Sequence, residues 1–295
     1  MRTKIITSIY SDLYGTEFGG RPNRGGHYKY SLISLMKMTN ADYVCYTSDR
    51  EYDDLCNFFY IENTIDSNKL IIKKYDISNF ILSDKINKLK NIEETKKSDR
   101  CVEIQYCKFL WALDESFIDN YDNIYWFDAG LSHTGLFPEK YMGDNGYFDK
   151  YFNCKIFDNE LLDNLISFTN NKIFICSKEN VANYWSGTVP SKYYDEYCMD
   201  RHIIGGFFGG KNIKMKEFCQ LFLDYVNRLL DNEPTLYFEE NIMSLMYYNH
   251  KDLFQVKEFD HWWHEDERIS GLDIQEFLKT RKSFYKILEE LKSNN

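Results

Sequence analysis

The stretch Tyr121–His133, YDNIYWFDAGLSH, constrains the fold more than any other part of the chain. Ile124–Phe127 joins one isoleucine to three aromatics, the composition of a strand buried on both faces. The run stops at a lone carboxylate, Asp128, followed at once by Ala129 and Gly130. In an open α/β sheet the ligand crevice lies beyond the carboxyl ends of the strands. Small residues there let a ligand approach the backbone, and the carboxylate can hold a cation or a hydroxyl. An Asp that merely starts a turn is the plainer alternative.

The rest of the chain repeats a strand-then-helix order. Lys4–Ile9, Tyr43–Thr47 and Lys69–Lys74 read as strands, with a helical pattern at His27–Met38 after the first. Lys85–Lys97 is polar and helical, and Glu103–Ser116 is a stronger helix leading into Ile124–Phe127. Further on, Asn159–Thr169 is helical, Lys172–Cys176 is a strand, and Ser186–Tyr197 is a tyrosine-rich loop that could cover a site. Ile203–Gly210, IIGGFFGG, is not an ordinary strand, because glycine weakens strands and marks close backbone approach. Ile213–Leu230 is a long helix, and Thr235 is placed to cap another that carries Glu239 and Glu240 early. Phe254–Val256 is a short strand and Phe277–Leu291 a terminal helix. This order predicts an α/β fold with a mostly parallel, Rossmann-like central sheet flanked by helices, and a C-terminal helical extension. With no repeat, low-complexity tract or linker, one domain over 1–295 is expected. Within it, two halves, 1–135 and 136–265, and a C-terminal helix, 266–295, are expected.

Composition limits the partners. The net charge is −10, and no Lys/Arg stripe stands out, which disfavours a polyanion such as duplex DNA. Eight cysteines with no CxxC pair, several in apolar runs such as YVCYT and IFICS, fit free thiols in a reducing compartment. The first residues, MRTKIITSIY, are too polar for a secretory leader. No run approaches the about 18 apolar residues of a membrane span. A cytoplasmic protein is expected. Aromatic content is high at 17%, in keeping with rings that stack on sugars, although nucleotide bias raises Tyr and Phe as well.

Four groups of residues are candidates for chemistry. The loop after the first strand runs from Thr7, Ser8 and Tyr10 through Arg24. It lies where a nucleotide base can sit, and the Arg24 guanidinium suits a diphosphate. Its glycines fit neither a Walker loop nor a GxGxxG fingerprint. The second group is Asp128 with Gly130, where metal-dependent nucleotide-sugar enzymes place a pair of carboxylates for Mn²⁺ or Mg²⁺. Here glycine stands in place of the second acid. The third is IIGGFFGG, with Gly209 and Gly210, plus Glu239 and Glu240. Adjacent helical positions diverge by about 100°, so one glutamate faces the site, and Glu240 is preferred. Simple complementation of a helix N-terminus is the alternative for both. The fourth is Asp260–His264, DHWWH: His261 or His264 could ligate a metal beside Asp128, and Trp262 could stack on sugar or base.

YDNIYWFDAGLSH, preceded by EIQYCKFLWALDES and followed by GGFFGG, resembles the pattern of the HtrL/YibB family of bacterial proteins. The likeness spans roughly Gln105 to Gly210. It implies a glycosyltransferase-like GT-A fold in which Lys108, Asp128 and Gly130 line the donor site. The block from IIGGFFGG through YFEENIMSLMYYN is also similar in order to the retaining histo-blood-group-type galactosyltransferases, which gives Glu240 the catalytic carboxylate position by resemblance. The missing second Asp is the departure from that pattern.

Together these readings lead to an expected activity: a hexosyl- or pentosyltransferase using a nucleoside-diphosphate sugar, a UDP-sugar by expectation, and a hydroxyl acceptor in glycan or polysaccharide synthesis. A non-catalytic glycan- or nucleotide-binding protein and a transferase acting on modified DNA bases are the alternatives. A weak Mn²⁺ or Mg²⁺ site that forms with the nucleotide is expected at Asp128. The metal-free alternative uses Arg24, Lys108 and a histidine to neutralise the diphosphate.

Overall fold

The computed structural model describes residues 1–10, 28–29, 32–33, 36, 39–90, 102–118, 120–129, 159–179, 201–233 and 236–259. These residues build a seven-stranded sheet in the order β3-β2-β1-β4-β6-β5-β7. The strands are β1 Thr3–Ile9, β2 Asp42–Thr47, β3 Leu70–Lys74, β4 Asn123–Phe127, β5 Ile173–Glu179, β6 Arg201–Lys211 and β7 Phe254–Phe259. β6 runs antiparallel to both neighbours, β4 and β5. The other pairings, β1 with β2 and β4, β2 with β3, and β5 with β7, are parallel. The expected mostly parallel α/β architecture is the observed one.

Strand order fixes where a ligand can enter. The chain moves outward from β1 to β2 and β3, then returns to the other side of β1 with β4. The strand order therefore switches direction between β1 and β4, the place where open α/β sheets bind ligands, in a crevice beyond the carboxyl ends of the strands. Asp128 follows β4 directly at that crevice. The strand carries it there because Asn123–Phe127 is wholly buried. Ile124 and Trp126 face one core, and Tyr125 and Phe127 the other, as the strand period of two requires.

The first core is roofed by three helices: α3 Val102–Ser116, α5 Asn212–Asn232 and α6 Glu239–Asn249. The second lies under α1 Asp49–Cys56 and α4 Asn159–Thr169. α3 is buried almost all round because it is wedged between the sheet and α5. Phe109 of α3 stacks on both Phe208 of β6 and Phe222 of α5. Trp111 sits in a stack between Tyr10 and Tyr46. These rings are core residues, so a good part of the aromatic content serves packing. Cys45, Cys107, Cys176 and Cys219 are buried free thiols, and Cys56 is free and half-buried.

IIGGFFGG forms the middle of strand β6, which pairs along both edges and bulges once against β5. A Cβ on Gly209 would stand 2.5 Å from the Ile124 carbonyl oxygen, and one on Gly210 would stand 2.4 Å from that of Lys172. These glycines are what lets the strand pack, rather than what breaks it. The polar helix, α2, is described over Ser83–Lys90, and positions 91–97 lie outside the described residues. α1, which the sequence pattern did not show, is set by Ser48, whose hydroxyl caps the Glu51 N–H. The Ser186–Tyr197 loop and the Phe277–Leu291 helix lie outside the described residues.

Candidate active site

β6 does not follow β5 evenly. Its register jumps from Ile175↔Phe208 to Cys176↔Ile204, so that Gly205, Gly206 and Phe207 stand between consecutive partners of β5. On the other edge Phe207 keeps its pairing with Phe127, and Asp128 N–H donates to Gly206 O at 2.8 Å. The bulge therefore leans Gly205 and Gly206 against the end of β4, a use of bulges common beside active sites.

Four charged side chains meet there. Lys108 comes from the middle of α3, Asp128 from the end of β4, and Glu239 and Glu240 from the first turn of α6. Lys108 Nζ lies 3.0 Å from Asp128 Oδ1 and 2.9 Å from Glu239 Oε1, and donates to Gly205 O at 3.4 Å. Trp126 Nε1–H donates to the same Asp128 Oδ1 at 2.8 Å. Gly205 N–H donates to Glu240 Oε1 at 3.1 Å. α6 begins here because Phe238 N–H is capped by Asn241 Oδ1. Gln105, one turn before Lys108 on α3, accepts the Glu239 N–H.

Burial differs sharply across the group. The side chains of Lys108 and Glu239 are 7% and 10% exposed, whereas that of Asp128 is 42% exposed. Glu240 is half-buried. Burial opposes the charge on Lys108, but Asp128 and Glu239 outweigh it and hold the ammonium protonated, its pKa raised. One ammonium cannot satisfy three carboxylates. The surplus falls on the most enclosed of them: burial, with Glu240 and Asp128, raises the Glu239 pKa against the pull of Lys108.

The structure thus brings Lys108, Asp128, Glu239 and Glu240 together. It places Gly209 and Gly210 elsewhere, opposite Tyr125 and Ile124 in the body of the sheet, roughly 10 Å or more along the strand from Asp128. The glycines at the crevice are Gly205 and Gly206 instead. Thr7 is buried and Ser8 half-buried on opposite faces of β1. Tyr10 is buried, with its hydroxyl on Tyr75 O and its ring on Trp111. Ala129 is buried in the core beside Phe127. Arg24, Gly130, His261, Trp262 and His264 lie outside the described residues. Trp126 and Gln105 were missed in the sequence. Trp126 is two residues before Asp128 and Gln105 three before Lys108, spacings that place each pair on one face.

Among the described residues no group of three His, Cys, Asp or Glu side chains is placed to hold a metal ion. Asp128 supplies one oxygen, Oδ2, since Oδ1 is taken by Lys108 and Trp126. A divalent cation at Asp128 would need further ligands, for which the sequence offers His261, His264 and donor phosphates.

No protein-family model and no curated protein sequence matches the chain. Solved structures align with it at low identity. Apo mouse xyloside xylosyltransferase 1 does so at 11% identity over 87% of this chain and 85% of that one, with a TM-score of 0.48. A CMP:2-keto-3-deoxy-manno-octonic acid synthetase complexed with CTP aligns at 9% identity over 100% of both chains, with a TM-score of 0.43. The 4-diphosphocytidyl-2C-methyl-D-erythritol synthase of Anaerococcus prevotii aligns at 11% identity over 94% of this chain and 93% of that one, with a TM-score of 0.39. These likenesses are too distant to assign an activity.

Proposed function

We propose that this chain is a nucleotide-sugar-dependent glycosyltransferase that moves a hexose or pentose from a nucleoside diphosphate, UDP in the first instance, to a hydroxyl acceptor. The observation that carries this reading is the meeting of Asp128, Glu240 and the Gly205–Gly206 bulge at the β1/β4 crevice. Bond cleavage at an anomeric carbon leaves positive charge on the sugar ring and negative charge on the departing diphosphate. Carboxylates beside the ring stabilise the first. Glu240 is the choice for that role, because Gly205 N–H fixes one of its oxygens while the side chain stays half-buried at the crevice. Glycine backbone lets sugar hydroxyls come close without a side chain in the way.

The diphosphate needs cations: Arg24 and His261 or His264 would supply positive charge, and Asp128 would help hold a divalent ion, Mn²⁺ before Mg²⁺, that would neutralise the departing phosphates. Residues 1–135 would hold the donor and 136–265 the acceptor. A helix long and apolar enough to cross a membrane is absent among the described residues. The buried free thiols fit a reducing compartment.

Glu240→Gln tests the reading. Turnover of the nucleotide sugar that the wild type uses should fall by about a hundredfold or more, while affinity for that donor changes only a few-fold. Transfer and donor hydrolysis are measured together with donor binding. Unchanged turnover would remove Glu240 from the mechanism.

A further inference from the structure

We propose that Lys108 is a positioning residue that never touches the donor: its ammonium ties α3, β4, the β6 bulge and α6 together so that Asp128 presents a single oxygen, Oδ2, to the crevice. The proposal rests on the glycosyl-transfer reading of the site. An ammonium has three N–H donors. Those of Lys108 face Glu239 Oε1 at 2.9 Å, Asp128 Oδ1 at 3.0 Å and Gly205 O at 3.4 Å. Two of these contacts are hydrogen bonds and the one to Asp128 is an ion pair, all within the protein, and a side chain 7% exposed cannot reach out for a phosphate. A phosphate that came to this point would also meet more carboxylate than ammonium.

What Lys108 holds is specific. Asp128 Oδ1 accepts from Trp126 Nε1–H and pairs with the Lys108 ammonium, so the hydrogen bond and the ion pair meet on one oxygen and orient the carboxylate. Oδ2 then faces Gly206, where a Cβ would stand 3.3 Å from it. The glycine leaves that oxygen uncovered. Gly205 serves the buried pair instead. A Cβ there would stand 2.7 Å from Glu239 Cγ, so glycine makes room for the acid that pairs with Lys108. Gly205 also links the pair to Glu240, since its carbonyl accepts from Lys108 and its N–H donates to Glu240 Oε1. The buried pair Lys108–Glu239 thus sets the position of both carboxylates that face the substrate.

The test replaces the pair together, Lys108→Met with Glu239→Gln, so that neither charge is left buried alone. A second variant, Trp126→Phe, keeps an aromatic ring in the core and removes the N–H, at the cost of a smaller ring in a buried site. Both are made in the full chain. UDP binding is measured by calorimetry, kcat and KM with the nucleotide sugar, and the Trp126 indole proton by NMR in the ligand-free protein. The expected result is UDP affinity within about threefold of wild type, kcat lower by about tenfold or more, and KM little changed. A tenfold weaker UDP affinity would make Lys108 a phosphate ligand and overturn the proposal, as would unchanged kcat. If the double variant does not fold, Trp126→Phe carries the test, with the same split expected at about fivefold in kcat and unchanged kcat counting against it. If the wild type neither binds UDP nor turns over any nucleotide sugar, the glycosyl-transfer reading fails separately. The indole proton then decides: it moves in the double variant if Lys108 holds Asp128, and an unmoved resonance rejects that role.

Discussion

Asp128 stands at the meeting point of a neutral core and a charged crevice, and its two oxygens divide between them. Oδ1 belongs to the protein, held by Lys108 and Trp126. Oδ2 belongs to whatever binds. A single oxygen is a poor site for a hard cation, which wants about six oxygen ligands. The proposed Mn²⁺ would therefore be weak until donor phosphates and a histidine complete its shell. Activity should fall in EDTA and return with Mn²⁺. Asp128→Asn can keep its oxygen on Trp126 but puts an amide NH2, which cannot ligate a cation, in place of Oδ2, and should raise the Mn²⁺ concentration needed for half-maximal activity by about tenfold or more. Titrating Mn²⁺ against initial rate in both proteins measures this. Full activity of the wild type in EDTA would leave the diphosphate to Arg24 and a histidine. Asp128 was legible in the sequence because a carboxylate followed by two small residues is an unusual end for a buried strand. Lys108 was visible only through resemblance, and there as a residue of the donor site. A lysine inside an apolar helix does not announce its partners, which come from α6 and β6, far along the chain.

At the scale of elements, two features hold the frame that aims the site. β6 packs against β4 without room for side chains at its centre: a Cβ on Gly209 would stand 2.3 Å from Tyr125 Cδ1 and 2.6 Å from Tyr125 Cα. Gly209→Ala must push two central strands apart. It should cost more than about 3 kcal/mol, read as the shift of the urea midpoint, and a loss under about 1 kcal/mol would show that the sheet yields easily. The second feature is Glu115, at the end of α3. It is fully buried, with Lys4 of β1 on Oε2 at 2.6 Å, and Tyr46 OH of β2, at 2.9 Å, and Lys73 of β3 sharing Oε1. Burial alone would raise its pKa, but the hydrogen bonds from Lys4 and Lys73 outweigh that and lower it. A carboxylate depressed in the folded state stabilises above its ordinary pKa, and the gain is lost as pH falls through the folded value. Glu115→Gln should cost about 3–5 kcal/mol at neutral pH, since it strands the buried Lys4. It should also flatten the acid side of the stability–pH curve below about pH 4. Denaturant melts of both proteins across pH check the slope, and equal slopes would move the acid sensitivity to another group. The strands could be read from apolar runs. IIGGFFGG was legible as an irregular strand of close backbone approach, but which neighbours crowd each glycine is a cross-strand property that the local sequence does not show. The Glu115 cluster joins four elements and leaves no local pattern.

At the scale of the whole molecule, topology and charge bear on which acceptor the proposed transferase takes. The order β3-β2-β1-β4 is parallel and opens its crevice beside Asp128, and antiparallel β6 then brings its first residues, up to Gly206, to the same edge. That alternation of direction, which no single segment of sequence declares, is why glycines from late in the chain reach a carboxylate from its middle. The chain as a whole carries a net charge of −10, and the described crevice adds Asp128, Glu239 and Glu240 against Lys108. A duplex polyanion brought to this edge would face repulsion at long range and at contact, while a single nucleotide sugar brings only a diphosphate that local cations can meet. This ranks a DNA-base transferase below one acting on a soluble hydroxyl acceptor. In a gel-retention experiment at about 150 mM salt, micromolar protein should leave a labelled duplex, with or without hydroxymethylated bases, unshifted. Any weak retention at low salt should vanish with a shallow slope, reporting about one or two phosphate contacts at most. A steep loss of affinity with salt, equivalent to about six or more contacts, would instead reveal a basic groove and would put the DNA acceptor first.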